Sequence, residues 1–103
     1  MAGAICPQAF AEETSKFTSA EFLTWERGSQ EFYIDASVGM AGLIITRNDA
    51  TKGKCLDGWY LSDQDEVIDH ILEVMEANPT FHPRGVLAAI IEKKCGSMEF
   101  DAN

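Results

Sequence analysis

The chain has 103 residues, 46% of them hydrophobic, and carries 17 acidic against eight basic side chains for a formal net charge of −9. This length suits one domain with a modest core, and no apolar run reaches the roughly 18 residues of a membrane-spanning helix. The negative charge argues against nucleic acid or anionic lipid as a partner, and is compatible with a basic protein partner or with simple solubility.

The N-terminal segment 1–11 has the composition of the end of a signal peptide. A small residue, Phe10 and a second small residue, Ala11, form the pattern after which signal peptidase cleaves, and a polar stretch begins at Glu12. We therefore interpret residues 1–11 as the remnant of a signal peptide and residues 12–103 as a single domain located in the periplasm. The alternative is a mildly apolar N-terminus that stays on the protein.

Three cysteines are present, and cleavage after about Ala11 would remove Cys6. Cys55 and Cys95 would then remain as one pair, which suits an oxidising compartment. A bridge between them would close a loop of about 40 residues and contribute roughly 4 kcal/mol in the chain-entropy model. The alternative is a pair of reduced, buried cysteines in a cytosolic protein. No cysteine–histidine cluster suggests a metal, so neither a metal nor another cofactor is expected.

The first two helices are predicted from capping residues and from spacing. Thr18 and Glu21 form a capping box for a short helix that continues to about Arg27, and Gly28 ends it. Ser29 can cap a second helix. Two neighbouring rows then follow at helical spacing: Phe32, Ala36, Gly39 or Met40, and Leu43 in one, and Tyr33, Ser37, Met40 and Ile44 in the other.

The same region has a second interpretation. Its residues also suit a β-hairpin or meander with strands near 21–26 and 31–36 and a third at 42–47, because the segment from Leu43 to Thr46 favours strand by composition. Helix is preferred because polar residues recur at helical spacing rather than in alternation. The predicted fold class is therefore all-α, with an α+β fold as the alternative.

A loop is predicted over residues 47–60, where two glycines and an Asn-Asp pair supply turn residues. Four of its residues make it basic and aromatic within an acidic chain: Lys52, Lys54, Trp59 and Tyr60. Tryptophan and tyrosine anchor many interfaces, so these four residues are candidates for partner binding. Aromatic residues also fill the cores of small domains, and the sequence favours neither role.

The last two helices carry the clearest signals. Ser62 or Asp63 can cap a third helix that stops before Pro79, and Pro83 suits the first turn of a fourth helix that closes on Cys95. The apolar stripe of the third helix contains five residues: Val67, Ile68, Ile71, Leu72 and Met75. The fourth helix has a similar set: Val86, Leu87, Ile90, Ile91 and Cys95. Together these elements predict a small bundle of about four helices with one disulfide.

Acidic residues follow one side of the third helix at spacings of four, four and three: Asp65, Asp69, Glu73 and Glu76. Like charges at this spacing destabilise a helix by roughly 0.2–0.5 kcal/mol per pair. A basic surface on a partner would offset that repulsion, which makes these residues candidates for partner binding. A solvated acidic face is the alternative.

No catalytic constellation stands out. The only histidines are His70, in the third helix, and His82, directly before Pro83. The sequence contains no nucleophile elbow, phosphate-binding loop or zinc motif. No catalytic residues are therefore predicted, and an enzyme is not expected.

Several features follow one another between Thr18 and Cys95. They are the run Ser-Ala-Glu-Phe-Leu-Thr-Trp at 19–25, the aromatic–small helix Phe-Tyr-Ile-Asp-Ala-Ser-Val-Gly at 32–39, a Cys-Leu-x-x-Trp segment, the turn Glu-Ala-Asn-Pro at 76–79 and a helix that closes on a cysteine. Taken together, this layout resembles the immunity proteins of type VI secretion amidase effectors, the Tai/Rap family.

The resemblance implies an all-helical periplasmic protein with no chemistry of its own. Its expected partner is a cognate peptidoglycan amidase effector, whose Cys/His site it would block sterically, often as a homodimer. Neither nucleic-acid binding nor membrane insertion is expected. The second functional hypothesis is a small periplasmic chaperone of the acid-stress kind, which exposes apolar surface as carboxylates become protonated.

Overall fold

A computed structural model describes residues 17–98. Within this range the chain forms five helices and no strand: α1 (Ser19–Phe22), α2 (Arg27–Asn48), α3 (Ala50–Tyr60), α4 (Gln64–Ala77) and α5 (Pro83–Cys95). The predicted all-α bundle is confirmed, and the alternative with an N-terminal β-hairpin or meander is wrong. No helix in the described part is long and apolar enough to cross a membrane. The predicted signal-peptide remnant 1–11 lies outside the described residues.

The short helix α1 is fixed to the turn that precedes α5. Thr18 Oγ1 accepts a hydrogen bond from the Glu21 N–H at 3.2 Å, so the predicted cap is confirmed. The fully buried Ser19 donates through both its N–H and its hydroxyl to the carbonyl oxygen of Phe81, each at 2.8 Å. Because buried polar groups need partners, these bonds determine where α1 lies.

Helix α2 begins earlier than predicted. Arg27 is its first residue, so Gly28 lies inside α2 and does not end α1, which stops at Phe22. Ser29 lies in the first turn of α2 rather than at its cap. The buried amide of Gln30 donates to the Phe22 carbonyl oxygen at 3.2 Å, which stabilises the tight turn between the two helices.

Residues 50–60 form helix α3, so the loop predicted over 47–60 is wrong. The N–H of Asp49 donates to the Ile45 carbonyl oxygen at 2.7 Å and closes α2. The Asp49 side chain accepts from the Lys52 N–H at 3.2 Å and caps α3. The Asn-Asp pair therefore marks a one-residue corner between two helices, because aspartate caps helices as well as it forms turns.

Helices α2 and α3 form a tight hairpin. Gly53 is required near its corner, because a Cβ there would lie only 3.1 Å from the backbone Cα of Thr46. At the other end of α3, the Tyr60 hydroxyl donates to Asp35 Oδ1 of α2 at 3.0 Å. Burial, and then this hydrogen bond, raise the pKa of Tyr60, so the hydroxyl keeps its proton and the contact persists.

Helix α3 is the central element of the bundle, since it packs against α2, α4 and α5. The predicted stripes of α4 and α5 are confirmed in the core, with Leu72 and Cys95 half-buried at its edge. In α2 the buried positions are Gln30, Ile34, Val38 and Ile45. Neither row identified from the α2 sequence is buried as a whole, because packing on α3 selects a different face.

The predicted disulfide between Cys55 and Cys95 is present, with the two Cα atoms 5.8 Å apart. It joins the middle of α3 to the last turn of α5. Gly96 follows with a φ of +98°, a conformation that favours glycine. The chain therefore turns sharply away from the axis of α5 directly after the covalent link.

Candidate protein-binding groove

An apolar groove of about 950 Å³ lies between α2 and α5. It exists because both helices pack on α3 but not closely on each other. Along α2 its lining extends from Gly28 to Ile44, which corresponds to about 24 Å of helix. Helix α5 contributes residues between Arg84 and Ile91. The α2 wall is therefore about four helical turns long, and the α5 wall is about two turns long.

Large apolar side chains of α2 face water along this groove. Phe32 is 76% exposed, Met40 is 60% exposed and Ile44 is 49% exposed. Contiguous apolar surface of this kind marks interaction sites, and methionine adapts its shape to different partners. We therefore identify the groove as the candidate functional site.

Aromatic residues and one arginine lie at the end of the groove where α2 and α5 begin. The ring centroids of Trp25 and Tyr33 are 5.8 Å apart, and the Arg84 guanidinium lies 5.5 Å from the Tyr33 centroid in a cation–π contact. The Tyr33 hydroxyl oxygen is buried and has no hydrogen-bond partner among residues 17–98. Burial raises the pKa of this hydroxyl, and the charge of Arg84 offsets part of the rise.

The groove differs in charge from the rest of the protein. Arg84 is the only charged side chain among the described residues that line it, although acidic residues outnumber basic ones two to one in the chain, 17 against eight. No carboxylate between residues 17 and 98 forms an ion pair with Arg84. The groove is thus an apolar surface with a single positive charge at one end.

The segment after α5 also lines the groove. Met98, three residues after Cys95, contributes to the lining. The N–H of Met98 donates to Glu92 Oε2 at 3.0 Å, and the carbonyl oxygen of Ser97 accepts from Lys52 Nζ. The disulfide and these two hydrogen bonds therefore hold Met98 in place. Lys52, a predicted partner-binding residue, makes a structural contact within the chain.

The Arg84 position is set by the start of α5. His82 Nδ1 accepts a hydrogen bond from the Arg84 N–H at 3.1 Å and caps the helix, and Pro83 occupies its first turn. The His82 ring also lies edge-on to Phe17, with centroids 5.3 Å apart. Burial, and then the charge of Arg84, lower the pKa of His82. The neutral imidazole is therefore the form that caps α5.

The acidic candidates of α4 all lie on the exposed surface: Asp65, Asp69, Glu73 and Glu76. Asp69 pairs with Arg27 Nη1 of α2 at 2.9 Å, and Arg27 Nε also contacts Glu31 at 2.8 Å. Hydrogen bonds to Glu31 and then Asp69 raise the pKa of this arginine. Of the four candidates, only Asp69 forms an ion pair within the described range.

A second concavity, of about 570 Å³, lies beside α4 and is more polar. Three predicted partner-binding residues line it: Trp59, Asp69 and Glu73. Asp65 and Glu76 do not. Four further polar residues that were not predicted as partner-binding residues also line it: Ser62, Glu66, His70 and Lys94. The i, i+3, i+4, i+7 spacing of positions 66, 69, 70 and 73 is the signal that identifies this face.

The remaining predicted residues lie on α3 and differ in exposure. Tyr60 is 4% exposed and fills the core, whereas Trp59 is half-buried and retains a water-accessible edge at the second concavity. Lys54 is exposed. Of the two roles that the sequence left open for the aromatic pair, the structure places Tyr60 in the core.

The apolar groove was not predicted as a site from the sequence. A signal was present, because Phe32, Met40 and Ile44 belong to the two rows found at helical spacing. Those rows lie on a different side of α2 from the residues that are buried against the core. Helix α2 is therefore apolar on more than one side. No protein-family model, no curated protein and no solved structure matches this chain.

Proposed function

We propose that this protein is an exported, non-catalytic inhibitor of a type VI secretion peptidoglycan amidase, as the immunity proteins of the Tai/Rap family are. The order of motifs between Thr18 and Cys95 supports the assignment. The disulfide supports export, since such bonds persist in oxidising compartments. The main observation in support of a binding role is the apolar groove. Its exposed side chains would be stabilised if a partner covered them, because burial of apolar surface is favourable.

Inhibition in this proposal is steric. The bound protein covers the Cys/His site of the amidase and excludes the peptidoglycan substrate, so no residue of this chain takes part in chemistry. Burial at the groove supplies affinity. The acidic face of α4 supplies a negative field that speeds association with a basic surface.

The direct test measures hydrolysis of peptidoglycan by the amidase-like protein that a neighbouring gene encodes. We expect the purified protein, with its disulfide intact, to abolish hydrolysis near a one-to-one ratio. The proposal is contradicted if the neighbouring genes encode no amidase-like protein, or if that enzyme keeps full activity with the protein in excess.

The role of the acidic face has its own test. Charge reversal by Asp69→Lys together with Glu73→Lys should slow association with the amidase about tenfold at low salt, and less at high salt because exposed charges are screened. An unchanged association rate would show that the acidic face does not speed association. Both positions are exposed, so the fold should be retained.

A small periplasmic chaperone is the second candidate, and the same exposed apolar side chains favour it. The two functions differ in their response to pH. A chaperone of the acid-stress kind should prevent aggregation of a denatured client at low pH and not at neutral pH. An amidase inhibitor should bind its enzyme at neutral pH and leave the client unprotected.

The proposed function also includes export to the periplasm and association of two copies of the chain. Protein recovered from the periplasm should begin at about Glu12, which mass spectrometry of the intact chain measures. Two copies should associate, and light scattering should give twice the mass of one chain. A chain that starts at Met1 inside the cytoplasm would contradict the proposed location.

A further inference from the structure

We propose that the groove between α2 and α5 accommodates an amphipathic helix of a partner protein, and that this helix presents an acidic side chain to Arg84. The inference deepens the proposed function and rests on it for the identity of the partner, since the helix would belong to the amidase. Three properties of the groove support this inference: its length, the exposure of its apolar side chains and its charge.

The groove has the dimensions of a helix-binding site. From Gly28 to Ile44 the lining follows about four turns of α2, and from Arg84 to Ile91 it follows about two turns of α5. A partner helix could therefore contact both walls over about two turns and α2 over the rest of its length. Small side chains lie on both walls, at Ala36 and Ala41 of α2 and at Ala88 of α5. Helix axes approach most closely where such residues meet, and an apolar stripe in a groove is an established mode of peptide recognition.

The exposure of the walls favours an occupant as thick as a helix. Phe32 and Met40 are 76% and 60% exposed, so they stand at the rim of the groove rather than at its base. A single alkyl chain or an extended peptide lying at the base would leave both side chains in water. A helix about 10 Å wide covers the base and the rim together, and so removes more apolar surface from water.

The charge of the groove specifies the polar end of the helix. Arg84 is the only charged lining residue of the described chain, and its guanidinium lies 5.5 Å from the centroid of the Tyr33 ring. Covering this end with an apolar surface would bury a cation without a counter-charge, which is costly. A glutamate or aspartate on the partner helix would pair with Arg84.

The same charge argues against one symmetric arrangement of two copies of this chain. In a two-fold pair whose axis passes through the groove, the two grooves would face each other. The described lining offers Arg84 but no carboxylate, so both arginines would be buried against apolar or positive surface. A different protein that supplies the carboxylate avoids this cost.

The test uses the full chain and a labelled 18-residue synthetic helix with leucine at i, i+3, i+4 and i+7 positions. The peptide carries a glutamate in its first and in its last turn, so that either direction presents one to Arg84. A second peptide has glutamine at both positions. We expect fluorescence anisotropy to show binding of the glutamate peptide about tenfold tighter than of the glutamine peptide. If the wild-type protein binds neither the glutamate peptide nor the glutamine peptide, the inference is overturned.

Two substitutions on α2 form a matched pair. Met40 lines the groove and is 60% exposed, whereas Leu43 is 58% exposed on the same helix and is not part of the lining. Met40→Glu should weaken binding of the glutamate peptide at least tenfold, and Leu43→Glu should change it less than twofold. Equal effects of the two substitutions would show that the peptide does not occupy the groove.

The acidic contact is tested separately with Arg84→Gln. This variant should lose about tenfold in affinity for the glutamate peptide and little for the glutamine peptide, because only the first has a carboxylate to lose. An equal loss for both peptides would overturn the assignment of an acidic partner group. Circular dichroism of each variant checks that the helical fold is retained.

The amidase separates failure of this inference from failure of the proposed function. If Met40→Glu and Leu43→Glu inhibit the amidase as wild type does, the groove inference is wrong and the proposed function stands. If the glutamate peptide binds as expected but the amidase is not inhibited, the proposed function is wrong and the groove inference stands.

Two other occupants would also overturn the inference. A wild-type dimer that Met40→Glu dissociates and Leu43→Glu does not would identify a second copy in the groove. A Phe100→Glu variant that binds the glutamate peptide tenfold more tightly than wild type would identify segment 99–103 of the same chain. Light scattering and anisotropy measure the two outcomes.

Discussion

Helices α2 and α4 are both exposed on one side, but their exposed sides differ in chemistry. In α4 the buried face is apolar and the exposed face carries the acidic row. In α2 the buried face is narrow, and the exposed side carries Phe32, Met40, Leu43 and Ile44. The exposed face of α4 is polar and is well solvated by water. The exposed side of α2 is apolar, so a partner could cover it. This comparison is the reason that we propose α2 for the binding surface.

The largest expected effect concerns the disulfide that holds the α5 side of the groove. Cys55→Ala together with Cys95→Ala should lower the free energy of unfolding by roughly 4 kcal/mol, because a loop of about 40 residues is no longer closed in the unfolded chain. Urea unfolding measures the loss. A loss below about 1 kcal/mol would show that hydrogen bonds and packing hold α5 on α3 without the bridge.

Truncation of a side chain should cost much more stability on the buried face of α2 than on its exposed face. Ile34 is fully buried, so Ile34→Ala should cost about 3 kcal/mol of folding stability. Phe32→Ala should cost less than about 0.5 kcal/mol, because the side chain already faces water. Ile71→Ala is the control in α4, with a cost similar to that of Ile34→Ala. A large loss for Phe32→Ala would break the contrast between the two faces.

These elements show where sequence reasoning succeeded and where it could not. Asp63 and Pro83 placed the starts of α4 and α5 correctly, because a cap and a proline act locally. The apolar stripes of both helices were also recognised, since a polar opposite face leaves one choice for the core. The periodicity of α2 could not select its buried face, because apolar residues lie on several sides and only the packing on α3 decides.

Helix α3 was missed for a related reason. Gly53 and Gly58, with two aspartates, have the composition of a turn. The structure uses Gly53 for close approach to Thr46 and Asp49 as a cap, so tertiary contacts override the weak local propensity. The groove could not be predicted either, since it depends on how α2 and α5 are spaced by a helix that was taken for a loop.

The cap of α5 should make stability depend on pH. The pKa of His82 is lower in the folded protein than in the unfolded chain, so the unfolded state binds more protons at acidic pH. The stability from neutral His82 should be present above pH of roughly 6.5 and decline as the pH falls through the lowered pKa.

Urea unfolding at pH 7.5 and pH 5.0 measures this decline, and His82→Asn is the control because asparagine caps without titrating. Between pH 7.5 and pH 5.0, the free energy of unfolding should fall less for His82→Asn than for wild type. The two falls should differ by no more than the roughly 1 kcal/mol that a helix cap typically contributes. If the free energy of unfolding falls equally in both proteins, His82 does not contribute and carboxylates account for the pH dependence.

The smallest effect tests the exposed face of α4. Glu76→Gln removes one charge from the acidic row in the last turn of α4, which contains no basic residue. Like charges at helical spacing and acids near a helix C-terminus are both unfavourable, so stability should rise by about 0.3 kcal/mol. Thermal unfolding at low and high salt checks it, since the gain should shrink as salt screens the charges.

The central claim is that the exposed side of α2 and the segment after α5 together form a binding surface. Methyl NMR of protein labelled at methionine tests it directly, because Met40 and Met98 line the groove and Met75 is fully buried in the core. On addition of the amidase that we propose as the partner, we expect the Met40 and Met98 signals to shift while Met75 stays unchanged. A complex that forms and leaves Met40 and Met98 unshifted would contradict the claim.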